Sequence, residues 1–447
     1  MQQPQAQPAN GVNLTEQTAD FVAAHRTEDV RQLALKAKRV EGLDLPLALD
    51  QIAGWQIACK KLPQWASCEG IIYPPHISME QCSSQFTAQY KSEIAQTLLT
   101  PAVTVRARMS DSAESDTQET KTGVRVTDSP ESDTLVARSS MVDLTGGFGV
   151  DFSYLARGFS QATYLERQRH LCDLAEHNMA ALGLDQARIV CGDGVEYLRQ
   201  MGPVDFIYLD PARRDEHGSR TYAIEDCTPN VFELRDLLLS KSQYTLVKLS
   251  PMLDWRKAVA DFDGTVREVH IVATGNECKE LLLVLGQQVH EEPSAPRVFC
   301  VNDNQRIDYD SAAYTQGLRI GGKPLPEAKN YLYEPNASIM KAGCFDLVEE
   351  RFGVTQVGPS SHLFVSATPV ADFPGRGFAI EAIGGMNKKD IKRLLNGTKQ
   401  ANIAVRNFPL TAPQLRKKLK LADGGPVYLF GTTMQGCDHV LLRTSKI

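Results

Sequence analysis

The 447-residue sequence has no apolar run of the roughly 18–20 residues that a membrane-spanning helix needs. Its first residues, MQQPQAQPANGVNLTEQ, show no basic stretch followed by an apolar one, so no secretory leader is expected and the cytoplasm is the expected compartment. No two of the ten cysteines form a C-x-x-C pair, which excludes a zinc ribbon or a dithiol redox motif; scattered thiols read as small buried hydrophobes, and no metal is expected. Aromatic residues make up only 7% of the chain, and there is no internal repeat. What remains is a globular composition, 42% hydrophobic and 23% charged, in a chain long enough for two to four domains.

The net charge of −6 is unevenly spread. Lys388 to Lys420 holds ten basic residues against one acid, Asp390, a balance of +9 that leaves −15 for the rest. A nucleic-acid partner is compatible with that asymmetry, as is a merely solvated face.

The texture changes along the chain. Residues 1–17 are polar and expected to be disordered. Residues 18–108 carry helical spacing, as in DVRQLALKAKRV and in ISMEQCSSQFTAQYKSEIAQTLL over 77–99, and predict a helical N-terminal unit. Residues 109–133 hold seven acids, two bases and almost no large apolar side chain, which predicts an acidic linker or loop over 109–138. From 139 to 290 short apolar runs alternate with helical stretches. The strands are expected at 141–145, 162–166, 188–192, 205–210, 244–250, 267–274 and 280–286, the last two forming a hairpin around TGNECK. That alternation predicts an α/β, doubly wound, mainly parallel sheet. Small α+β units are expected over 291–358 and 359–447, the latter with β-rich ends and a basic helical centre.

The chemistry is concentrated in VDLTGGFGVDFSYLA. A strand ends at Asp143, a turn follows through Thr145, Gly146, Gly147, Phe148 and Gly149, and a helix begins. Glycines suit a backbone that turns tightly and approaches a ligand closely. Glu166 closes the next strand, 23 positions after Asp143, where a carboxylate can accept from two ribose hydroxyls. Asp193, before Gly194, closes the third strand, within reach of an adenine amine, and Asp210 closes the fourth. The dinucleotide fingerprint G-x-G-x-x-G is incomplete, because Phe152 stands at its third glycine. A single strand-end acid also serves as a helix cap, but four in order are unlike chance.

VDLTGGFGVD, YLER, CGDG and YLDPAR resemble the four ordered motifs of class I S-adenosylmethionine-dependent methyltransferases, and most closely those bacterial members with a C-terminal THUMP-like domain. ANIAVRNFPLTAPQLRKKLKL, GGPVYLFGTT and EQCSSQFTAQYK are similar to further segments of that family. The resemblance implies a Rossmann-like core, a ferredoxin-like unit over 291–358, a THUMP-like domain over 359–447 and S-adenosylmethionine as cofactor. It implies Asp143, Thr145, Gly146, Gly147, Phe148 and Gly149 around the methionine moiety, Glu166 and Arg167 at the ribose, Asp193 and Gly194 at the adenine, and Asp210 facing the methyl. THUMP domains bind RNA in tRNA-modifying enzymes, so RNA is the implied partner, with Lys388, Lys392, Arg393, Arg416, Lys417 and Lys418 as candidate phosphate contacts.

The acceptor atom stays open at this level. Asp210-Pro211-Ala212-Arg213 lacks the second proline and the aromatic found where a base amine is methylated. It is more similar to the motif of uracil C5 methyltransferases, yet Lys248-Leu249-Ser250-Pro251 offers a serine where those place a cysteine. Arg213 and Arg214 suit a phosphate or carboxylate clamp, or a local ion pair, and Tyr222 suits stacking or ordinary packing. The alternatives are methylation of a protein or small molecule, and a non-catalytic RNA-binding protein retaining the fold.

Overall fold

The computed structural model describes residues 14–36, 40–100, 139–213, 224, 227–287, 295–314, 329–436 and 438–447. The acidic segment 109–133, the first 13 residues, Arg214 and Tyr222 lie outside them, as does the side chain of Arg213. Two compact units emerge, Met1–Lys248 with Leu285–Gln287, and Leu249–Val284 with Gln288–Ile447.

The first unit begins with six helices: α1 (Glu16–His25), α2 (Val30–Lys36), α3 (Leu45–Lys61), α4 (Pro63–Ser67), α5 (His76–Gln81) and α6 (Gln85–Leu99). Caps explain several boundaries. Thr15, Asp44 and Ser84 each accept a backbone N–H of the following turn. Segment 77–99, expected as one helix, is therefore two, broken at Cys82-Ser83-Ser84, where Ser84 restarts the chain as α6. The described helices α1 to α6 fall in the same compact unit as the sheet that follows.

That sheet contains β1 (Ser140–Asp143), β2 (Gln161–Glu166), β3 (Ala187–Cys191), β4 (Val204–Leu209) and β7 (Ser242–Leu249), in the order β7-β4-β1-β2-β3. The four pairings are all parallel. Helices α7 (Val150–Leu155), α8 (Arg169–Ala181), α9 (Gly194–Gln200) and α10 (Val231–Lys241) alternate with them, and a two-stranded ladder joins β5 (Ala212–Arg213) to β6 (Cys227–Thr228). Strand order reverses between β1 and β4, and in such sheets ligands bind outside the strand ends at the reversal.

The second unit opens with α11 (Trp255–Asp261), then β8 (Val266–Thr274) and β9 (Glu277–Gly286), neighbours in one sheet. Gly275 and Asn276 link them at φ of 58° and 62°, the pair of positive values a two-residue hairpin turn requires. β10 (Arg297–Asn302) pairs parallel with β8 and antiparallel with β11 (Gln305–Asp310). Then come β12 (Tyr331–Pro335), α12 (Ala337–Ala342), α13 (Phe345–Phe352), β13 (Thr355–Gln356), β14 (Phe364–Ser366), β15 (Gly375–Gly384), α14 (Lys388–Leu395), β16 (Asn402–Arg406), α15 (Ala412–Leu419), β17 (Val427–Thr433) and β18 (His439–Lys446). Seven of these strands make one sheet, β13-β14-β12-β15-β18-β17-β16. Leu394, Leu415 and Leu419 of the two basic helices are buried with Leu429 and Leu441 of that sheet, which turns the lysines outward.

Candidate active site

The glycine turn after β1 is shaped by its neighbours. A Cβ on Gly146 would lie 2.1 Å from the Tyr164 ring, so only glycine fits. Gly149 takes φ 83° as the residue before α7, a left-handed conformation in which side chains are strained. Tyr164 is fully buried and donates its hydroxyl to the Gly147 carbonyl. Phe148 is buried with its ring 5.0 Å from that of Trp65, contributed by α4.

The four strand-end acids have distinct environments. Asp143 is 1% exposed and accepts from the Thr145 N–H at 2.9 Å. Burial pushes its carboxyl well above the usual range; the Thr145 N–H pulls it down, and the neighbouring Asp151 and Asp210 push it further up. Glu166, half-buried, accepts from Gly147 N–H at 3.1 Å and Gln168 N–H at 2.9 Å. A carboxylate offers about four lone-pair sites, so capacity for two more donors remains. Asp193 caps α9, its Oδ1 accepting from Val195 and Glu196 N–H at 2.8 and 2.9 Å, while Oδ2 meets Arg167 at 2.5 Å. Those backbone bonds, led by Glu196, hold its carboxyl below the ordinary value despite some desolvation. Gly194 begins that helix close to β1: a Cβ there would lie 2.2 Å from the Leu144 carbonyl oxygen.

Asp210 is tied to the glycine turn, because its N–H donates to Thr145 Oγ1 at 2.7 Å across the β1–β4 reversal. Its Oδ2 accepts from Lys248 Nζ at 2.7 Å. Lys248 also donates to Ser83 Oγ at 3.1 Å and stands 3.6 Å from Asp151 Oδ2. Asp151, in the first turn of α7, accepts from Lys91 at 2.9 Å, Ser83 at 2.8 Å and the Tyr208 hydroxyl at 2.7 Å. Lys91, on α6, is completely buried. Burial alone would raise Asp151, but Lys91, Lys248 and the Lys91 and Tyr208 hydrogen bonds outweigh it and hold the carboxyl far below its ordinary value. Two lysines and two aspartates from four separated segments thus form one hydrogen-bonded network behind the strand ends.

Sequence reasoning missed Lys91, Lys248, Asp151, Ser83 and Tyr208 as site residues. One signal was present. Thr87, Ala88, Tyr90, Lys91, Ile94 and Ala95 form the buried stripe of α6, so Lys91 sits in register with the apolar face of its helix. Among the described residues no cluster of three or more metal-ligating side chains occurs, and no helix is long and apolar enough to cross a membrane.

In the second unit the lysines of the basic run, Lys388, Lys392, Lys417 and Lys418 among them, are exposed, whereas its three arginines have internal partners, Arg406 reaching Glu334 at 2.7 Å. Arg393 donates to the Ile383 carbonyl and to Asp390, at 2.8 and 3.2 Å, and Arg416 pairs with Asp423.

Comparison with solved structures decides the family. A protein from Porphyromonas gingivalis W83, described as a "putative methyltransferase", is 30% identical, with 96% of this chain and 97% of that one covered and a TM-score of 0.76. The chain belongs to that methyltransferase family. Its fold is the Rossmann-like fold of S-adenosylmethionine-dependent methyltransferases, carrying a ferredoxin-like domain match over residues 331–374 and a THUMP-like match over 375–446. A SAM-dependent methyltransferase from Agrobacterium tumefaciens is 15% identical over 34% of this methyltransferase and 56% of that chain, at a TM-score of 0.26. An rRNA methylase from Streptococcus thermophilus is 14% identical over 34% and 89%, also at 0.26. No curated protein matches the chain.

Proposed function

We propose that this methyltransferase acts on RNA in the cytoplasm, with S-adenosylmethionine held at the β1–β4 reversal and the THUMP-like end engaging RNA phosphates. The observation that carries the proposal is the set of strand-end carboxylates around one glycine turn, in a chain whose C-terminal domain is THUMP-like and outwardly basic. The residues fit the cofactor. Asp143 is buried beside two other acids and its ionised form is disfavoured, a situation that an incoming cationic group relieves. Glu166 retains lone pairs for sugar hydroxyls. When bound, the cofactor supplies a methyl group on a positively charged sulfur.

Within this reading Gly146, Gly147 and Gly149 let backbone approach the ligand, and Glu166 orients the ribose. Arg167 steadies Asp193 at the adenine end, and Asp210 faces the acceptor. Methyl transfer depends mostly on lining up acceptor and methyl, so the hydrogen-bonded Lys248–Asp210 geometry matters more than covalent help. Exposed Lys388, Lys389, Lys392, Lys417, Lys418 and Lys420 are the phosphate contacts of choice, ahead of Arg393 and Arg416.

Calorimetry with S-adenosylmethionine and with NAD tests the cofactor assignment; binding of NAD alone would overturn it. Mass spectrometry of RNA nucleosides from cells with and without the gene tests the substrate. Identical nucleoside profiles would remove RNA as the substrate.

A further inference from the structure

We propose that the methylated atom is an oxygen, the 2′-hydroxyl of an RNA ribose, with Asp210 accepting its proton while Lys248 stabilises the negative charge developing on that oxygen. This rests on the reading of the protein as an RNA methyltransferase.

Asp210 is the most open carboxylate of the network, with 39% of its side-chain surface exposed against 11% for Asp151. One of its oxygens, Oδ2, is fixed by Lys248 at 2.7 Å; among the described residues Oδ1 has no hydrogen-bond partner. The charged groups that act on it come from four elements: Lys248 on β7, Lys91 on α6, Asp151 on α7 and Asp143 on β1. Lys91 pairs with Asp151 at 2.9 Å. It is a positioning residue that neutralises Asp151, which in turn flanks Lys248.

The three chemical classes of acceptor make different demands. An amine nitrogen gains positive charge as it attacks, and a lysine fixed beside the carboxylate disfavours that. A pyrimidine carbon needs a thiol or similar nucleophile, and the residue after β7 is Ser250. A hydroxyl oxygen needs its proton removed and its developing charge met by a cation, and the Lys248–Asp210 pair provides both. Partial burial also raises the Asp210 carboxyl, helped by Asp151 and against the pull of Lys248 and Lys91.

In the transfer the ribose oxygen forms a bond to the methyl carbon as the carbon–sulfur bond breaks. The electron pair of that bond remains on sulfur and cancels its positive charge. The hydroxyl proton passes to Asp210 Oδ1 and later to water.

The test uses the full chain, S-adenosylmethionine labelled in its methyl group, and bulk RNA from cells lacking the gene. A ribose 2′-O-methyl group blocks alkaline cleavage of the next phosphodiester bond. Label recovered in alkali-resistant dinucleotides is the expected result. Label in mononucleotides would place the methyl on a base and overturn this proposal while leaving an RNA methyltransferase. Absence of label from RNA would overturn the RNA reading and this proposal with it. Lys248→Met should lower kcat at least 100-fold with cofactor Kd changed less than threefold, and Lys248→Arg should keep at least a tenth of wild-type kcat. A second readout needs no turnover. In carbon-13 NMR spectra of ligand-free enzyme labelled at aspartate, the Asp210 carboxyl should titrate at higher pH in Lys248→Arg, where a delocalised guanidinium replaces the compact ammonium, and higher still in Lys248→Met. An Asp210 titration unmoved in both variants would overturn the role given to Lys248.

Discussion

Lys91 and Lys248 in the first unit, and Lys417 and Lys418 near the C-terminus, are one side chain in opposite surroundings. The first pair is buried or nearly so, each amine within hydrogen-bond distance of a named carboxylate and of Ser83. The second pair is exposed on α15, with only its leucines inward. Removing a buried partner strands a charge in a poorly solvated site, whereas removing an exposed lysine subtracts from a field that salt already screens. Prominence in the sequence runs the other way: the exposed lysines form a conspicuous run, while the buried ones stand alone among neutral neighbours.

The contrast can be broken most severely at Asp210. Asp210→Ala should reduce methyl transfer at least 1000-fold, about 4 kcal/mol in the barrier, while cofactor affinity stays within about tenfold. Steady-state kinetics beside calorimetry separates the two quantities, and near-normal turnover would leave Asp210 as a strand-end cap. Next in size is Lys91→Met. With Asp151 left ionised and buried, the first unit should lose about 3–5 kcal/mol, read as a lower urea midpoint, whereas Lys417→Met should change it by less than about 0.5 kcal/mol.

The two buried aspartates offer a pH version of the same comparison. Asp151 is held below its unfolded value, so the stability it provides is complete above roughly pH 4 and is lost as pH falls toward its native pKa. Asp143 is held above its unfolded value, so its contribution is present below roughly pH 4 and is lost as pH rises through the native pKa. Asp143→Asn should therefore flatten the neutral-side decline of melting temperature in ligand-free protein, yet weaken S-adenosylmethionine binding by about 1–3 kcal/mol. A variant that melts and binds like wild type would remove Asp143 from the cofactor's surroundings.

The smallest effect per residue belongs to the exposed run. Lys417→Glu, Lys418→Glu and Lys420→Glu together should weaken RNA binding across sequences and lower the salt slope by about one per lysine. Cofactor binding should be unchanged. Filter binding at two salt concentrations decides it, and equal slopes would make the run an ordinary solvated surface.

The strands and their closing acids were legible because each follows from local pattern: an apolar run of four to eight residues, a terminal acid, a turn. The seven strand expectations fall on observed strands, with ends shifted by up to three residues. The glycine turn was legible for a similar reason, although the need for Gly146 was not, since the clash lies with Tyr164, 18 positions on. Lys91, Ser83 and Asp151 were hidden because what makes them matter is proximity across about 60 residues of chain. In AQYKSEIAQ a lysine between tyrosine and serine looks like any solvated helix position until the buried stripe of α6 is traced. The cap formed by Asp193 shows the converse: an acid before a helix start signals a capping bond as readily as a ligand contact, and the structure displays the former directly.

Lys91 also bears on how such a gene is cut and joined. A fragment beginning at Ser139 would inherit the parallel sheet, the glycine turn and all four strand-end acids, and by those marks would pass for a whole catalytic domain. It would nevertheless lack α6, and Asp151 would enter the folded state without the cation that lies 2.9 Å from it here. The smallest portable version of this enzyme is therefore counted from Ser83 and α6, so a recombination that transplants only the sheet moves the pattern without the charge balance that stabilises it.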